Sequence, residues 1–169
     1  SNPPGVSAES RRDSIATINA LAPGRTFCGI GAGNTAMRVM GQPPQRIAEF
    51  EAYLETLAPL LRGEEALMGP LTRGARGTAP IRHIMPDRGF VNFVDPIPLH
   101  VSGFGPRSLA LAGRYGDGAV MGLPYNAGMF EARWQQIESG AREAGRPISR
   151  DTFPTTALTT IVVLDEGEA

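Results

Sequence analysis

Residues 98–109 read Pro-Leu-His-Val-Ser-Gly-Phe-Gly-Pro-Arg-Ser-Leu. Pro96 to Ser102 is strand-like, Gly103-Phe104-Gly105 lets the chain turn, and Pro106 opens a helix carrying Leu109, Leu111 and Ala112. A strand that passes through glycines straight into a helix aims amide groups and the positive end of the helix dipole at one point. An anion, most often a phosphate, fits there. The amides of Phe104, Gly105, Arg107 and Ser108 are expected to converge on it, with hydroxyl hydrogen bonds from Ser102 and Ser108 and a charge-assisted one from Arg107. The same Gly-x-Gly also serves turns that need glycine for steric reasons alone. If a phosphate binds, backbone geometry is expected to outweigh Arg107, and Gly105 is the sensitive position provided that it adopts a conformation only glycine tolerates or leaves no room for a Cβ.

Around this segment the apolar period switches between 2 and 3.6. Downstream, Gly118 to Gly122 is a short strand, Asn126 caps a helix holding Phe130, Trp134, Ile137 and Ala141 that stops at Gly145, and Thr155 to Leu164 is β-branched enough for a strand. Upstream, a helix runs from its N-cap Ser7 to Ala22 with Ile15, Ile18 and Leu21 as its apolar stripe, and Thr26 to Gly31 suits a buried strand. Ile47, Phe50, Leu54, Leu57 and Leu61 then recur at helical spacing, with Pro44 in the first turn, Pro59 near the end and Gly63 as the C-cap. The stretch 64–95, rich in Gly, Pro and Arg, is expected to be an irregular excursion with at most one short strand.

Strictly alternating strands and helices imply a parallel sheet covered by helices, either doubly wound or closed as a barrel. The first helix lacks a preceding strand and the last strand a following helix, which is the pattern of the middle of a larger architecture. A complete (β/α)8 barrel takes about 250 residues, and this chain of 169 holds four strong strands. The expectation is a single domain over 1–169, an arc of such a barrel.

Composition narrows the chemistry. With 16 basic and 17 acidic side chains and 41% hydrophobic residues, the chain is neither disordered nor a basic nucleic-acid coat. All the basic residues are arginine, which removes Lys general-base and Schiff-base chemistry. Cys28 is the one cysteine, so no intramolecular disulfide or cysteine metal cluster forms, and it is expected to be a small buried side chain. No apolar run reaches the roughly 18 residues of a membrane span; a soluble cytoplasmic protein is expected, without nucleic-acid or membrane partners.

Gly29-Ile30-Gly31-Ala32-Gly33-Asn34 lacks the third glycine of a dinucleotide fingerprint, because Asn34 stands in its place, and no acidic residue ends a strand about 20 positions on. The better reading is a strand end whose small residues line a flat, bulky ligand, with Asn34 offering an amide to its polar edge.

These residues, with Gly41-Gln42-Pro43-Pro44 and Leu60-Leu61-Arg62-Gly63-Glu64, resemble the bacterial luciferase-like oxidoreductases. So do Ser102 to Gly113 followed by Gly116-Asp117-Gly118. The resemblance is strongest to the branch that uses the deazaflavin coenzyme F420, including methylene-tetrahydromethanopterin reductases and glucose-6-phosphate dehydrogenases. It implies a (β/α)8 barrel holding FMN or F420 at the C-terminal ends of its strands, with this chain covering about strands 4 to 7. By carry-over, Gly103, Phe104, Gly105, Arg107 and Ser108 match the phosphate turn, and Ala32 and Gly33 the strand end beside the ring. The sugar-phosphate branch has an acid where Asn34 stands, and an amide cannot deliver a proton. That branch also has a Thr and a Lys where this chain has residues near Gly122 and Tyr125. These two are the candidate substrate positions, and a sugar phosphate is not the expected substrate.

His100 shares a strand face with Pro98 and Ser102, where a histidine serves as a proton shuttle or, more commonly, as a structural residue. His83 and the run Arg73, Arg76, Arg82 and Arg88 are expected on a solvated loop, the arginines being an alternative anion lure. The expected function is thus a flavin- or deazaflavin-dependent oxidoreductase, a reductase or monooxygenase, acting on a small molecule and assembling as a homo-oligomer. A flavin-binding protein without turnover and another phosphate-binding barrel enzyme remain open.

Overall fold

The computed structural model describes residues 7–68, 79–82, 88–122 and 126–158. Helix α1 (Ala8–Leu21) begins at Ser7, whose hydroxyl accepts from Ser10 N at 3.3 Å. Strand β1 (Cys28–Gly31), the short helix α2 (Asn34–Val39) and helix α3 (Ile47–Leu61) follow. Next come strands β2 (Ala66–Met68) and β3 (Ala79–Ile81), then β4 (Leu99–Gly103), α4 (Pro106–Tyr115), β5 (Gly118–Gly122), α5 (Ala127–Glu143) and β6 (Thr155–Leu158).

β1, β4, β5 and β6 form one sheet in that order, every neighbouring pair parallel. The register sets Gly31 beside Ser102 and Ser102 beside Val120, so the carboxyl ends of β1, β4 and β5 lie along one edge. Cys28, Ile30, Leu99, Val101, Ala119 and Met121 alternate along the strands, and all are buried in one cluster with Leu54, Leu57, Leu109 and Ile137 of the helices. The helices therefore cover one face. Gly31, His100, Ser102 and Val120 carry the more open opposite face. This is the α/β arrangement expected from the alternating pattern, and each fully buried Leu or Ile on the covered face contributes about 1.5–3 kcal/mol.

Helix α4 sits closer to its neighbours than side chains would allow. A Cβ built on Gly113 would lie 1.8 Å from Ile137 O, and one on Gly140 would lie 1.9 Å from Ala110 O, so α4 and α5 cross almost backbone to backbone. The far end of α4 is tied down by charge. Arg146 Nη1 donates to Gly113 O at 3.0 Å and to Arg114 O at 2.9 Å, satisfying carbonyls that a helix end leaves open. Arg146 Nη2 also lies 3.6 Å from Asp117, and the Asp117 Oδ2 accepts from Leu99 N at 3.0 Å, linking the helix end to the start of β4.

Several sequence expectations are corrected. α1 exists, but its buried residues are Ala8, Arg12, Ala16 and Asn19, while Ile18 and Leu21 are exposed at 52% and 84%. Polar tertiary contacts set its rotation: Asn19 Nδ2 donates to the carbonyls of Asn92 and Asp95 at 3.0 Å each, and Asn92 N donates to Ala16 O. The excursion 64–95 holds two strands rather than at most one, because β2 and β3 pair antiparallel, with Ala66 opposite Ile81. Three-residue strands are too short to show a period. α3 begins at Ile47 behind the N-cap Arg46, whose amide donates to Glu49 Oε2 at 3.3 Å, so Pro44 stands outside the helix. α2 has no counterpart among the sequence expectations, which run from the strand end at Asn34 to the Gly41-Gln42-Pro43-Pro44 stretch without a helix. The end of the last predicted strand, together with His83, Arg73 and Arg76, lies outside the described residues.

The crossing makes a direct prediction. Gly113→Ala should lower the unfolding free energy by at least about 2 kcal/mol in urea titrations, since backbone must move to admit the methyl. Gly105→Ala, whose Cβ would meet nothing within 4 Å, should cost less than about 1 kcal/mol. Equal losses would mean that the crossing is loose.

Candidate functional site

A cavity of about 710 Å³ opens at the carboxyl ends of β1, β4 and β5. One wall is the stretch after β1, with Ala32, Gly33 and Asn34; the other is the turn from β4 into α4, with Ser102, Gly103, Phe104, Gly105 and Ser108. The two glycine-rich segments singled out in the sequence thus face one space. Ligand sites in parallel α/β folds gather at this end of the strands.

Gly103 decides how the second wall is built. Its Cβ would lie 2.9 Å from Leu109 N, Ser108 C and Ser108 Oγ, so glycine alone lets the first turn of α4 close on the strand end. Gly105, the N-cap, has φ −107° and open space around it. The steric demand that the sequence reading attached conditionally to Gly105 belongs to Gly103. The Gly105 amide is also engaged within the turn: it donates to Ser108 Oγ at 3.3 Å, while that hydroxyl donates to Gly105 O at 2.9 Å. The amides of Arg107 and Ser108, in the first turn of α4, are the ones helical geometry leaves open.

Other candidates fall elsewhere. Arg107 is exposed and does not line the cavity. Neither does His100, the second residue of β4, whose ring lies 4.9 Å from that of Phe27 at an interplanar angle of 34°. Gly122 does not line it either; a Cβ built there would lie 2.0 Å from the Phe104 ring. Tyr125 lies outside the described residues. Asn34 reaches the cavity, yet its Oδ1 accepts from Arg38 Nε at 2.8 Å.

The sequence reading missed Arg38 and Gln45, which also line the cavity. Gln45 N donates to Ala32 O at 3.3 Å, docking the chain after α2 against the end of β1. Its Oε1 is buried without a hydrogen-bond partner among the described residues. The i, i+4 spacing of Asn34 and Arg38 was a usable signal; Gln45 offered none. No group of His, Cys, Asp or Glu suited to a metal occurs among the described residues, and no helix there is long and apolar enough to cross a membrane.

A parallel sheet with helices on one face and a ligand-sized cavity at the strands' carboxyl ends defines a protein of the (β/α)-barrel class. Residues 4–169 match the luciferase-like monooxygenase family, and the chain belongs to it. It is 33% identical over 122 residues to an F420-dependent glucose-6-phosphate dehydrogenase of Beutenbergia cavernae, covering 69% of this chain and 32% of that protein. It is 30% identical over 166 residues to a 5,10-methylenetetrahydromethanopterin reductase of Archaeoglobus fulgidus, covering 96% of this chain and 46% of the reductase. The fold superimposes with a TM-score of 0.60 and 19% identity on the oxygenating constituent of 3,6-diketocamphane monooxygenase from Pseudomonas putida, a type II Baeyer-Villiger monooxygenase solved with FMN, over 90% of this chain and 44% of that one. The chain therefore spans less than half the length of each of these relatives.

Cys28 opens β1 but is no nucleophile. Burial pushes its thiol up to about 11, against a smaller opposing pull from Arg11. At pH 8 only about one thiol in a thousand would be ionised. A thiol of raised pKa stabilises the fold below the unfolded value and loses that contribution as pH rises toward the folded one. Ellman's reagent at pH 8 should thus leave Cys28 unmodified in the native protein and label it fully in urea, and stability should decline between about pH 8.5 and 11. Rapid native labelling would contradict its burial.

Proposed function

We propose that this chain is the cofactor-holding portion of an F420- or FMN-dependent oxidoreductase that acts on a small organic molecule, with the cofactor's phosphate at the turn Gly103 to Ser108. The observation that carries the reading is the close seat of α4 on Gly103 at the edge of the cavity lined by Gly103, Gly105 and Ser108; a helix start in that place would offer its open first-turn amides and the positive end of its dipole to an anion there. Family membership supports the same reading.

The residues present fit such a group. The glycines and alanine after β1 leave room for a planar ring, and the buried, unpartnered Gln45 Oε1 is an acceptor that the imide N–H common to flavins and deazaflavins would satisfy. When bound, the cofactor supplies the hydride or oxygen chemistry. This chain's residues bind, orient and exclude water. The backbone amide of Ser108, which lines the cavity, and that of Arg107 beside it would hold the phosphate, although the Arg107 side chain lies outside the cavity; Gly103 would keep those amides in place and Phe104 would close the wall. With Asn34 rather than a carboxylic acid at the strand end, no proton is delivered from that position. The domain is best described as one luciferase-like unit over 1–169.

Titration of the protein with F420, FMN and riboflavin, followed by cofactor absorbance or fluorescence, tests this. The reading expects F420 or FMN to bind, with riboflavin at least about ten-fold weaker than FMN for want of the phosphate. Gly103→Val should abolish binding, whereas Gly105→Ala should change it less than about three-fold. Equal affinity for FMN and riboflavin, or binding unaffected by Gly103→Val, would remove the phosphate from this turn. Turnover of a reduced cofactor would separate an enzyme from a flavin-binding protein.

A further inference from the structure

The cavity contains a single charged side chain among the described residues, Arg38, and no acidic one. Arg38 stands on α2, a helix that buries none of its own residues, so packing does not explain the arginine's position. It makes no ion pair among the described residues, unlike Arg12, Arg62, Arg114 and Arg146. Its guanidinium makes one hydrogen bond among the described residues, from Nε to Asn34 Oδ1 at 2.8 Å. That bond fixes the guanidinium while leaving Nη1 and Nη2, the parallel pair of donors that a carboxylate engages in bidentate fashion.

We propose that Arg38, aligned by Asn34, selects substrates bearing a carboxylate. This rests on the cofactor reading above, in which the cofactor's phosphate is held at α4 and its ring lies against the end of β1 and Gln45, leaving Arg38, further along α2, for the substrate. Chemistry couples the two residues. An acid at position 34 would pair with the guanidinium and quench the field that attracts an anion, whereas the neutral amide orients Arg38 without neutralising it. Asn34 is thus a positioning residue, and Arg38 makes the contact.

The test uses benzoate and benzamide, a matched pair of planar probes differing in charge, titrated calorimetrically into protein saturated with whichever of F420 or FMN binds. Benzoate should bind at least about five-fold more tightly than benzamide, and Arg38→Gln should bring the ratio to about one. Cofactor affinity should stay within about two-fold in that variant. Asn34→Ala should lower the ratio part of the way, and Asn34→Asp should abolish it by neutralising Arg38. Because α2 buries nothing, the variants should unfold at the wild-type temperature. An unselective wild type, or a ratio unmoved by Arg38→Gln, overturns the proposal. So does a fall in cofactor affinity in place of the loss of selectivity, since Arg38 would then serve the cofactor. If neither cofactor binds, the proposed function fails by itself, and the same probe pair titrated into the unloaded protein still decides the role of Arg38.

Discussion

Helix α4 is held by backbone contacts that only glycine permits. At its start, Gly103 lets Ser108 and Leu109 close on the end of β4; along its flank, Gly113 and Gly140 let α4 and α5 approach until carbonyls occupy the places of side chains. Side chains in these places would push α4 outward by the size of a methyl group or more. Close packing transmits such a shift rather than absorbing it. The sheet's covered face, the turn after β4 and the shape of the cavity all depend on where α4 sits.

The two ends of the sheet divide the work. At the amino ends of the strands, charge secures structure: Arg146 meets the last carbonyls of α4 and Asp117 holds the amide of Leu99. Nearby, Arg114 bridges Glu51 of α3 and Glu143 of α5 at 2.6 Å each. These groups satisfy one another. At the carboxyl ends, Gly105 and Ser108 of the turn into α4 line one cavity together with Arg38 and Gln45, and the buried Gln45 Oε1 has no hydrogen-bond partner among the described residues. Satisfied charges at one end and polar residues lining a cavity at the other are the arrangement of a scaffold carrying a binding site.

Much of this was legible in the sequence. The 3, 4, 3, 4 spacing of Ile47 to Leu61 announces α3, and the strand, glycine turn and Pro106 announce β4 and α4, because in both cases local chemistry and tertiary packing agree. Where they disagree, sequence reading fails for physical reasons. The apolar stripe of α1 misleads because hydrogen bonds of Asn19 to the 92–95 segment set the helix's rotation. Choosing between Gly103 and Gly105 requires knowing which backbone lies nearby, and no local pattern reports a contact across a turn. Gln45 and Arg38 become cavity residues only through the docking of the chain after β1, which is decided at Ala32 O. The resemblance to luciferase-like oxidoreductases survives these corrections, since it rests on the two strand-end motifs that do share one cavity.

In the proposed arrangement the cofactor lies against the carboxyl ends of β1 and β4 with its phosphate at the start of α4. Amide hydrogen exchange with and without saturating F420 or FMN measures this residue by residue. Exchange should slow at residues 31–34 and 103–109, with amides at 116–119, at the opposite end of the sheet, unchanged. Protection centred on 116–119, or saturating binding that leaves 103–109 exchanging as before, would contradict it.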